Sequence, residues 1–323
     1  MAALRRGALW GNTQDDSCPS MTFAALPIHE LAALATAICW AATSLIAARP
    51  AAHLGAVAFS RLRQLSVALL LAIFVTTTGR LQTLPARDIG LLLASGAIGI
   101  FIGDSLLFAA LNRLGPRRSG ILFALNAPLA AVLGFAFLGE SLSWLAAAGV
   151  ALCVAGVMLA VFFGRRPGQS HALEQVKGAL WIGVALGLGA ALGQAIGSVI
   201  ARPLMASGLD PFVASLVRVG VAGLMLSGFM LLPIPDVKQR NPLTAHVALL
   251  TVGSGVLAMG IGMTLLLFAF SGGKTGIVST LSAISPALVL PLLWITTKER
   301  PAAGAWAGAG LVIFGMALLF AGR

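Results

Sequence analysis

Long apolar runs separated by short polar connections dominate this chain of 323 residues. Each run is about as long as a helix that crosses a hydrocarbon core roughly 30 Å thick. The runs are apolar on all sides and do not alternate with polar residues, which favours helices over barrel strands. The pattern predicts an all-α polytopic membrane protein with ten transmembrane helices, over residues 30–48, 55–78, 89–111, 118–138, 142–163, 178–200, 211–232, 245–269, 275–297 and 302–321.

One motif occurs twice, about half a chain apart. "NAPLAAVLGFAFLGE" begins at residue 126 and "ISPALVLPLLWITTKE" at residue 284, and each leads from a proline through an apolar helix to a glutamate. Spaced glycines follow each copy at one offset of 159 positions, which also relates the Ser-Gly pairs of the third and eighth runs. These are Gly149 and Gly156 with Gly308 and Gly315, and Ser95-Gly96 with Ser254-Gly255. A shared offset over three helices indicates a duplicated unit.

The duplication divides the chain into two five-helix repeats. We expect a polar tail at residues 1–27, the first repeat at 28–165, a linker at 166–176 and the second repeat at 177–323. The first twenty residues lack the apolar middle of a signal peptide, so no cleavage is expected there. An odd number of helices places the second repeat in the membrane upside down. Inverted repeats are typical of secondary transporters, whose substrate binds between them near the membrane midplane.

Composition narrows the function classes. The chain is 59% hydrophobic and 10% charged, whereas soluble proteins are about 25% charged. The net charge of +11 comes from Lys and Arg scattered in loops, which suits membrane headgroups and predicts no nucleic-acid partner. Cys18, Cys39 and Cys153 form neither a disulfide framework nor a zinc spacing. We therefore expect no metal and no cofactor.

The two copies resemble a known family. "PLAAVLGFAFLGESLSWLAAAGVALCVAGVML" and "PALVLPLLWITTKERPAAGAWAGAGLVIFGMAL" resemble the two EamA-type domains of the drug/metabolite transporter superfamily, over roughly residues 28–321. The second copy departs from the "GE" of the motif, because it reads Lys298-Glu299. The resemblance implies ten helices, cytoplasmic termini, a central cavity, export of small metabolites and a place in a bacterial inner membrane.

Loop charge disagrees with that orientation. With the N-terminus inside, seven Lys/Arg fall in inside loops and eleven in outside loops, so the positive-inside rule leans the other way. We follow the orientation that the resemblance implies, with both termini cytoplasmic.

Ionisable residues within membrane segments are costly, and they are therefore functional candidates. Arg61, Arg63 and Arg218 lie in apolar runs, and either a cavity role or snorkelling to the interface explains them. Asp104 lies mid-helix, and the offset of 159 places Met263 opposite it. It either binds a coupling proton or a substrate ammonium, or forms a structural ion pair with Arg61 or Arg63.

Uncharged polar residues complete the predicted cavity. Two prolines, Pro128 and Pro286, are expected to interrupt their helices and free carbonyl groups as ligands. The other members serve either as substrate ligands or as interhelical hydrogen bonds: Trp40, Ser44, Asn126, Gln194, Ser198 and Ser285. Glu140 and Glu299 are expected to stabilise the helix that follows each of them. Glycines at four-residue spacing, Gly189, Gly193 and Gly197, permit either tight packing or a sliding surface.

Enzymatic readings fail on missing residues. "SGGKTG" at 271–276 has Phe268 where a phosphate loop needs its first glycine. An aspartyl protease needs a second membrane aspartate, and a serine protease needs a base that the four histidines, in the tail, loops and helix ends, do not supply. We predict a secondary carrier, as monomer or homodimer in the lipid bilayer, that exports a small organic metabolite. An amino acid or related carboxylate is the first choice, a lipophilic cation the second, and a non-transporting scaffold the alternative of another class.

Overall fold

The structure, a computed structural model, describes residues 27–163, 178–234, 237–285, 287–288 and 302–322. These ranges are helical and contain no β-strand. In chain order the helices are α1 (Ile28–Leu54), α2 (Ala56–Thr77), α3 (Ala86–Gly96), α4 (Gly103–Ala124), α5 (Asn126–Leu138), α6 (Trp144–Phe162), α7 (Leu180–Ala206), α8 (Pro211–Phe229), α9 (Ala245–Gly255), α10 (Met263–Gly272), α11 (Thr275–Ser282) and α12 (Ala303–Ala321).

Five stretches of helix are long and apolar enough to cross a membrane: Ala56–Thr77, Ala86–Leu111, Leu180–Ala206, Pro211–Phe229 and Ala245–Gly272. Shorter apolar helices cover Leu122–Leu138, Trp144–Leu159 and Trp306–Ala321. Large apolar side chains cover the outer surface of the bundle, such as Trp144 at 78% and Phe137 at 74% exposed. Such a surface suits lipid, and the all-helical membrane architecture is confirmed. The count of ten spans stays a prediction, and much of the ninth run lies outside the described residues.

The last helices of the two repeats, α6 and α12, pack antiparallel on each other. A Cβ at Gly149 would lie 2.8 Å from the Gly315 carbonyl oxygen, and one at Gly156 would lie 2.7 Å from that of Gly308. Between these contacts the Cys153 thiol donates to the carbonyl of Val312 (3.7 Å), its own equivalent 159 positions on. Because equivalent residues exchange partners, an approximate two-fold axis passes between the two helices, perpendicular to them.

The same exchange holds for the first and third helices of the repeats. Helix α1 packs on the third helix of the second repeat, where the Trp40 indole donates to the carbonyl of Ala258 (3.1 Å). Helix α7 packs on the third helix of the first repeat, where the Ser95 hydroxyl donates to the carbonyl of Gly197 (2.6 Å). Each repeat therefore completes its helix packing on its partner, and the two interlock as one body.

One boundary differs from the sequence-based expectation. Residues 112–117 were predicted to connect two helices, yet helical backbone continues through them to Ala124. The interruption lies at Leu125, three residues before Pro128. There the Asn126 side-chain amide donates to the carbonyl of Phe123 (2.6 Å). Pro128 has no backbone N–H to donate to the carbonyl four residues before it, which is a local reason for the interruption.

Candidate functional site

Each repeat carries a π-helical segment at the middle of its third helix. Ala97–Ile102 joins α3 to α4, and Val256–Gly262 joins α9 to α10. The segments begin 159 positions apart, so they belong to the repeat. Short π-helical segments leave backbone groups poorly paired and occur frequently at functional sites. The two segments face the other repeat through the α1 and α7 contacts described above.

Two equivalent glycines bring an arginine helix against each third helix. A Cβ at Gly96 would lie 2.6 Å from the Arg218 carbonyl oxygen on α8. A Cβ at Gly255 would lie 2.7 Å from the Arg63 side chain on α2. Arg63 and Arg218 are therefore structural equivalents, each placed by the third helix of the opposite repeat. Arg63 is 6% exposed and Arg218 is 0% exposed, so neither residue reaches the surface of the bundle.

The first arginine has a carboxylate partner. The Arg63 guanidinium lies 3.5 Å from the Asp104 carboxylate. The Gln64 amide also donates to that carboxylate, at 3.4 Å. The guanidinium further lies over the Phe59 ring, 5.3 Å from its centroid. Of the two arginines considered as partners of Asp104, the structure places Arg63 beside it, whereas Arg61 donates to the Met230 sulfur (3.4 Å).

The second arginine has no such partner. Met263 stands where the repeat offset places the equivalent of Asp104, and the Arg218 guanidinium reaches its sulfur at 3.6 Å. The Nε and Nη2 atoms of Arg218 have no hydrogen-bond acceptor within the described ranges. Val219 follows Arg218 in the chain, where Gln64 follows Arg63. One half of the site is thus charge-neutral, and the other holds a buried cation.

The remaining predicted residues fall into two groups. Trp40 bridges the repeats through its bond to Ala258. The other hydroxyl and amide side chains with described bonds donate to carbonyls of their own helical region, at 2.6–2.9 Å: Ser44 to Ala41, Asn126 to Phe123, Ser198 to Gln194, and Ser285 to Ser282. Gln194 is buried on α7, Pro128 is half-buried in the first turn of α5, and Pro286 lies outside the described residues. Ser44 is exposed.

The glycines of α7 serve close packing. A Cβ at Gly197 would lie 2.7 Å from the Cα of Gly99, and one at Gly193 would lie 3.1 Å from the Ile98 carbonyl oxygen. Such approaches leave no room for a methyl group. Separately, a small apolar cavity between α4, α5, α6 and α11 is lined by residues that include Ala124, Val157 and Ile284, and by none of the predicted site residues.

Glu140 corrects one expectation. The helix that follows it is capped by Ser143, which accepts from the Ala146 N–H (3.2 Å). The Glu140 carboxylate instead accepts from the backbone N–H (2.7 Å) and hydroxyl (3.0 Å) of Thr275, the first residue of α11 in the other repeat. Arg202 lies 3.4 Å from the same carboxylate. Glu140, Thr275 and Arg202 are far apart in the sequence, so only the three-dimensional fold shows that they meet. Gln64 was also missed from the sequence, although its place next to Arg63 was a signal that could have identified it.

The chemistry of the site is that of binding. No group of three or more His, Cys, Asp or Glu side chains that could hold a metal ion occurs in the part of the chain that the structure describes. The functional groups on these packed helices are two guanidinium groups, one carboxylate, one carboxamide and the π-helical backbone. Such an arrangement can neutralise and orient a polar solute.

Comparison with known proteins gives a family and a fold. The model of the EamA-like transporter family matches residues 28–162 and 181–321. No curated protein sequence matches significantly. Among 29 matching solved chains, one described as "Crystal structure of protein" has a TM-score of 0.73 and 17% identity, over 90% of this chain and 95% of its own. At that identity the likeness concerns the fold alone.

Proposed function

Because this chain belongs to the EamA-like transporter family, as its sequence motifs indicated, we propose that it moves a small organic solute across the membrane by alternating access. The family makes it an integral membrane transporter. The alternating-access mechanism is supported above all by the exchange of partners between Gly149, Gly156, Gly308 and Gly315. Two near-equivalent halves related by an axis perpendicular to their helices can exchange conformations, and with them the side of the membrane that is open.

The substrate class follows from the charged groups at the centre of the repeats. Buried Arg63 and Arg218 favour a solute with a carboxylate, such as an amino acid or a related metabolite. Trp40, Gln194 and Ser198 lie on the helices that pack against the π-helical segments and contribute the polar surroundings. We propose export across a bacterial inner membrane with both termini cytoplasmic, by a monomer or homodimer, as the family resemblance implies.

Proton coupling is assigned to Asp104. Its carboxylate lies beside Arg63 and Gln64, with its side chain 18% exposed, so a change in its charge alters a buried network. Proton relays in transporters use intramembrane carboxylates of this kind. With Asp104→Asn we expect counterflow that no longer responds to a pH gradient. Gradient-driven accumulation equal to that of the unsubstituted protein would remove Asp104 from the coupling mechanism.

Counterflow in proteoliposomes tests the transport function itself. Vesicles that hold the full chain are preloaded with unlabelled amino acids, nucleosides or organic cations, and uptake of the same labelled pool is followed with and without a pH gradient. A carrier gives saturable, transient accumulation of at least one pool. Linear flux would indicate a channel, and no flux of any pool through folded protein would indicate a scaffold.

A further inference from the structure

We propose that Arg218 alone is the anion-binding residue of this carrier, and that it binds one carboxylate group of the ligand. The inference rests on the proposed transport function and deepens it, because it assigns different roles to two arginines that occupy equivalent places in the packing of the two repeats. It also implies that Met263, which stands where the first repeat has Asp104, leaves Arg218 available to a ligand carboxylate.

The charge of Arg218 is less well compensated than that of Arg63. The residue is 0% exposed, and its Nε and Nη2 atoms lack acceptors among the described residues. Its Nη1 atom reaches only the Met263 sulfur, a weak acceptor, at 3.6 Å. A buried charge without a partner is strongly destabilising. An anion that supplies two oxygens to the planar guanidinium would therefore lower the free energy of the folded protein when it binds.

Arg63 does not offer the same opportunity. Asp104 already lies 3.5 Å from its guanidinium, and the Gln64 amide donates to the same carboxylate oxygen, Oδ2. A substrate carboxylate at Arg63 would have to displace Asp104 or lie next to it, and two like charges in one buried site repel. While Asp104 is ionised, Arg63 therefore already has a carboxylate partner, and Arg218 is the arginine of the two without one.

The net charge of the site indicates the charge of the ligand group that binds there. The ionisable side chains described at this site, Arg63, Asp104 and Arg218, have a net charge of +1 when all three are ionised. A single carboxylate neutralises that charge. A phosphate ester carries about −1.5 to −2 at neutral pH and would leave buried negative charge. Gly99 lies next to the Arg218 guanidinium, because a Cβ there would lie 3.3 Å from Nη2 and 3.2 Å from the Cα of Gly197.

The repeat itself supplies the test. Met263→Asp installs in the second repeat the carboxylate that Asp104 provides in the first, and should occupy Arg218 permanently. Met263→Asn has the same size without the charge and is the matched control. Counterflow of a labelled amino-acid mixture is measured with unlabelled L-leucine, L-leucinamide, benzoate or benzamide as competitors. In parallel, the thermal unfolding midpoint of the detergent-purified chain is measured with the same four compounds.

We expect the acids to compete at least tenfold better than their amides, and Met263→Asp to lose at least tenfold in counterflow while Met263→Asn retains it. The acids should also raise the unfolding midpoint of the unsubstituted chain and not that of Met263→Asp. If Met263→Asp does not fold, Arg218→Lys, which keeps a cation, should retain the acid preference that Arg218→Gln loses.

Three outcomes overturn the inference. The first is equal competition by acids and amides. The second is equal counterflow by Met263→Asp and Met263→Asn. The third is transport of nucleosides or organic cations but not of amino acids, which would leave the transport function standing and remove only the anion site. Stabilisation by acids that Met263→Asp abolishes, without counterflow of any pool, would support the anion site and contradict the carrier.

Discussion

At the scale of single residues, the site differs between the repeats by two substitutions around a shared arginine. The first repeat surrounds Arg63 with Gln64 and Asp104, and the second surrounds Arg218 with Val219 and Met263. Their environments change from a neutral hydrogen-bonded network to an unpaired cation. Removing the Asp104 carboxylate would therefore leave Arg63 as Arg218 already is, a buried cation without a carboxylate partner.

Asp104→Asn should therefore destabilise the protein. It leaves the Arg63 guanidinium buried beside a neutral amide, and breaking a buried pair in this way costs about 3 kcal/mol. Asp210→Asn is the matched control. Asp210 pairs with Arg80 at 2.9 Å, but the Arg80 side chain is 46% exposed, and the Asn can still cap α8. The control should cost less than about 1 kcal/mol.

Reversible unfolding of the purified chain in detergent measures both variants. Equal stabilities for Asp104→Asn and Asp210→Asn would contradict this prediction, because the pair of Asp104 with Arg63 would then contribute no more than the exposed pair of Asp210 with Arg80.

At the scale of helices, contacts across the repeats decide what each terminus does. Glu140 follows α5 in the first repeat but binds the first N–H of α11 in the second. A carboxylate at a helix N-terminus stabilises the orphan backbone donors and the helix dipole. The pair of repeats is thereby tied together at one end of the bundle, together with Arg202 from α7.

Glu140→Ala should raise amide hydrogen exchange in residues 275–278 and leave the start of α6 protected. The loss of such a cap corresponds to about 1–2 kcal/mol. Ser143→Ala provides the converse, because Ser143 caps α6. It should raise exchange in residues 144–147 only. Faster exchange at the start of α6 in Glu140→Ala would restore the simpler expectation that each glutamate stabilises the helix behind it.

The glycine contacts between α6 and α12 make a second prediction at this scale. A methyl group at residue 156 would lie 2.7 Å from the Gly308 carbonyl oxygen, whereas nothing lies within 4 Å of one at residue 310. Gly156→Ala should cost about 1–3 kcal/mol through overpacking. Gly310→Ala, on the same pair of helices, should leave the unfolding midpoint unchanged or slightly raised. Similar midpoints for the two variants would place the α6–α12 contact elsewhere.

The sequence predicts local features of these helices better than their partners. Apolar length and glycine spacing are encoded over neighbouring residues, so most helix bounds and the duplicated glycines could be found from the sequence. The interruption lies at Leu125, next to the bond from the Asn126 side chain, whereas a connection was expected at residues 112–117. The contact of Glu140 with Thr275 joins residues 135 positions apart, and no periodicity reports such a contact.

At the scale of the whole molecule, two repeats share one architecture and differ in charge. The offset of 159 is enough to infer the duplication, and the contact of Cys153 with Val312 places the axis between the equivalent helices. The offset also identifies Met263 opposite Asp104 before any coordinates. It does not show that Arg218 is buried, with Nε and Nη2 lacking acceptors among the described residues, because burial depends on α3 and α8 meeting at Gly96. The fold is therefore more accessible from the sequence than the electrostatics of the site.

The central claim, that the repeats move against each other during transport, is tested most directly by linking them. Gln82, after α2, accepts the backbone N–H of Asp210 at the start of α8 (3.1 Å), so the two positions join the repeats at one end. In a cysteine-free background, Gln82→Cys with Asp210→Cys would be linked by a cleavable bismaleimide, with each single cysteine as control. We expect linking to abolish counterflow, and cleavage to restore it. Counterflow at an unchanged rate in fully linked vesicles would contradict alternating access between the repeats.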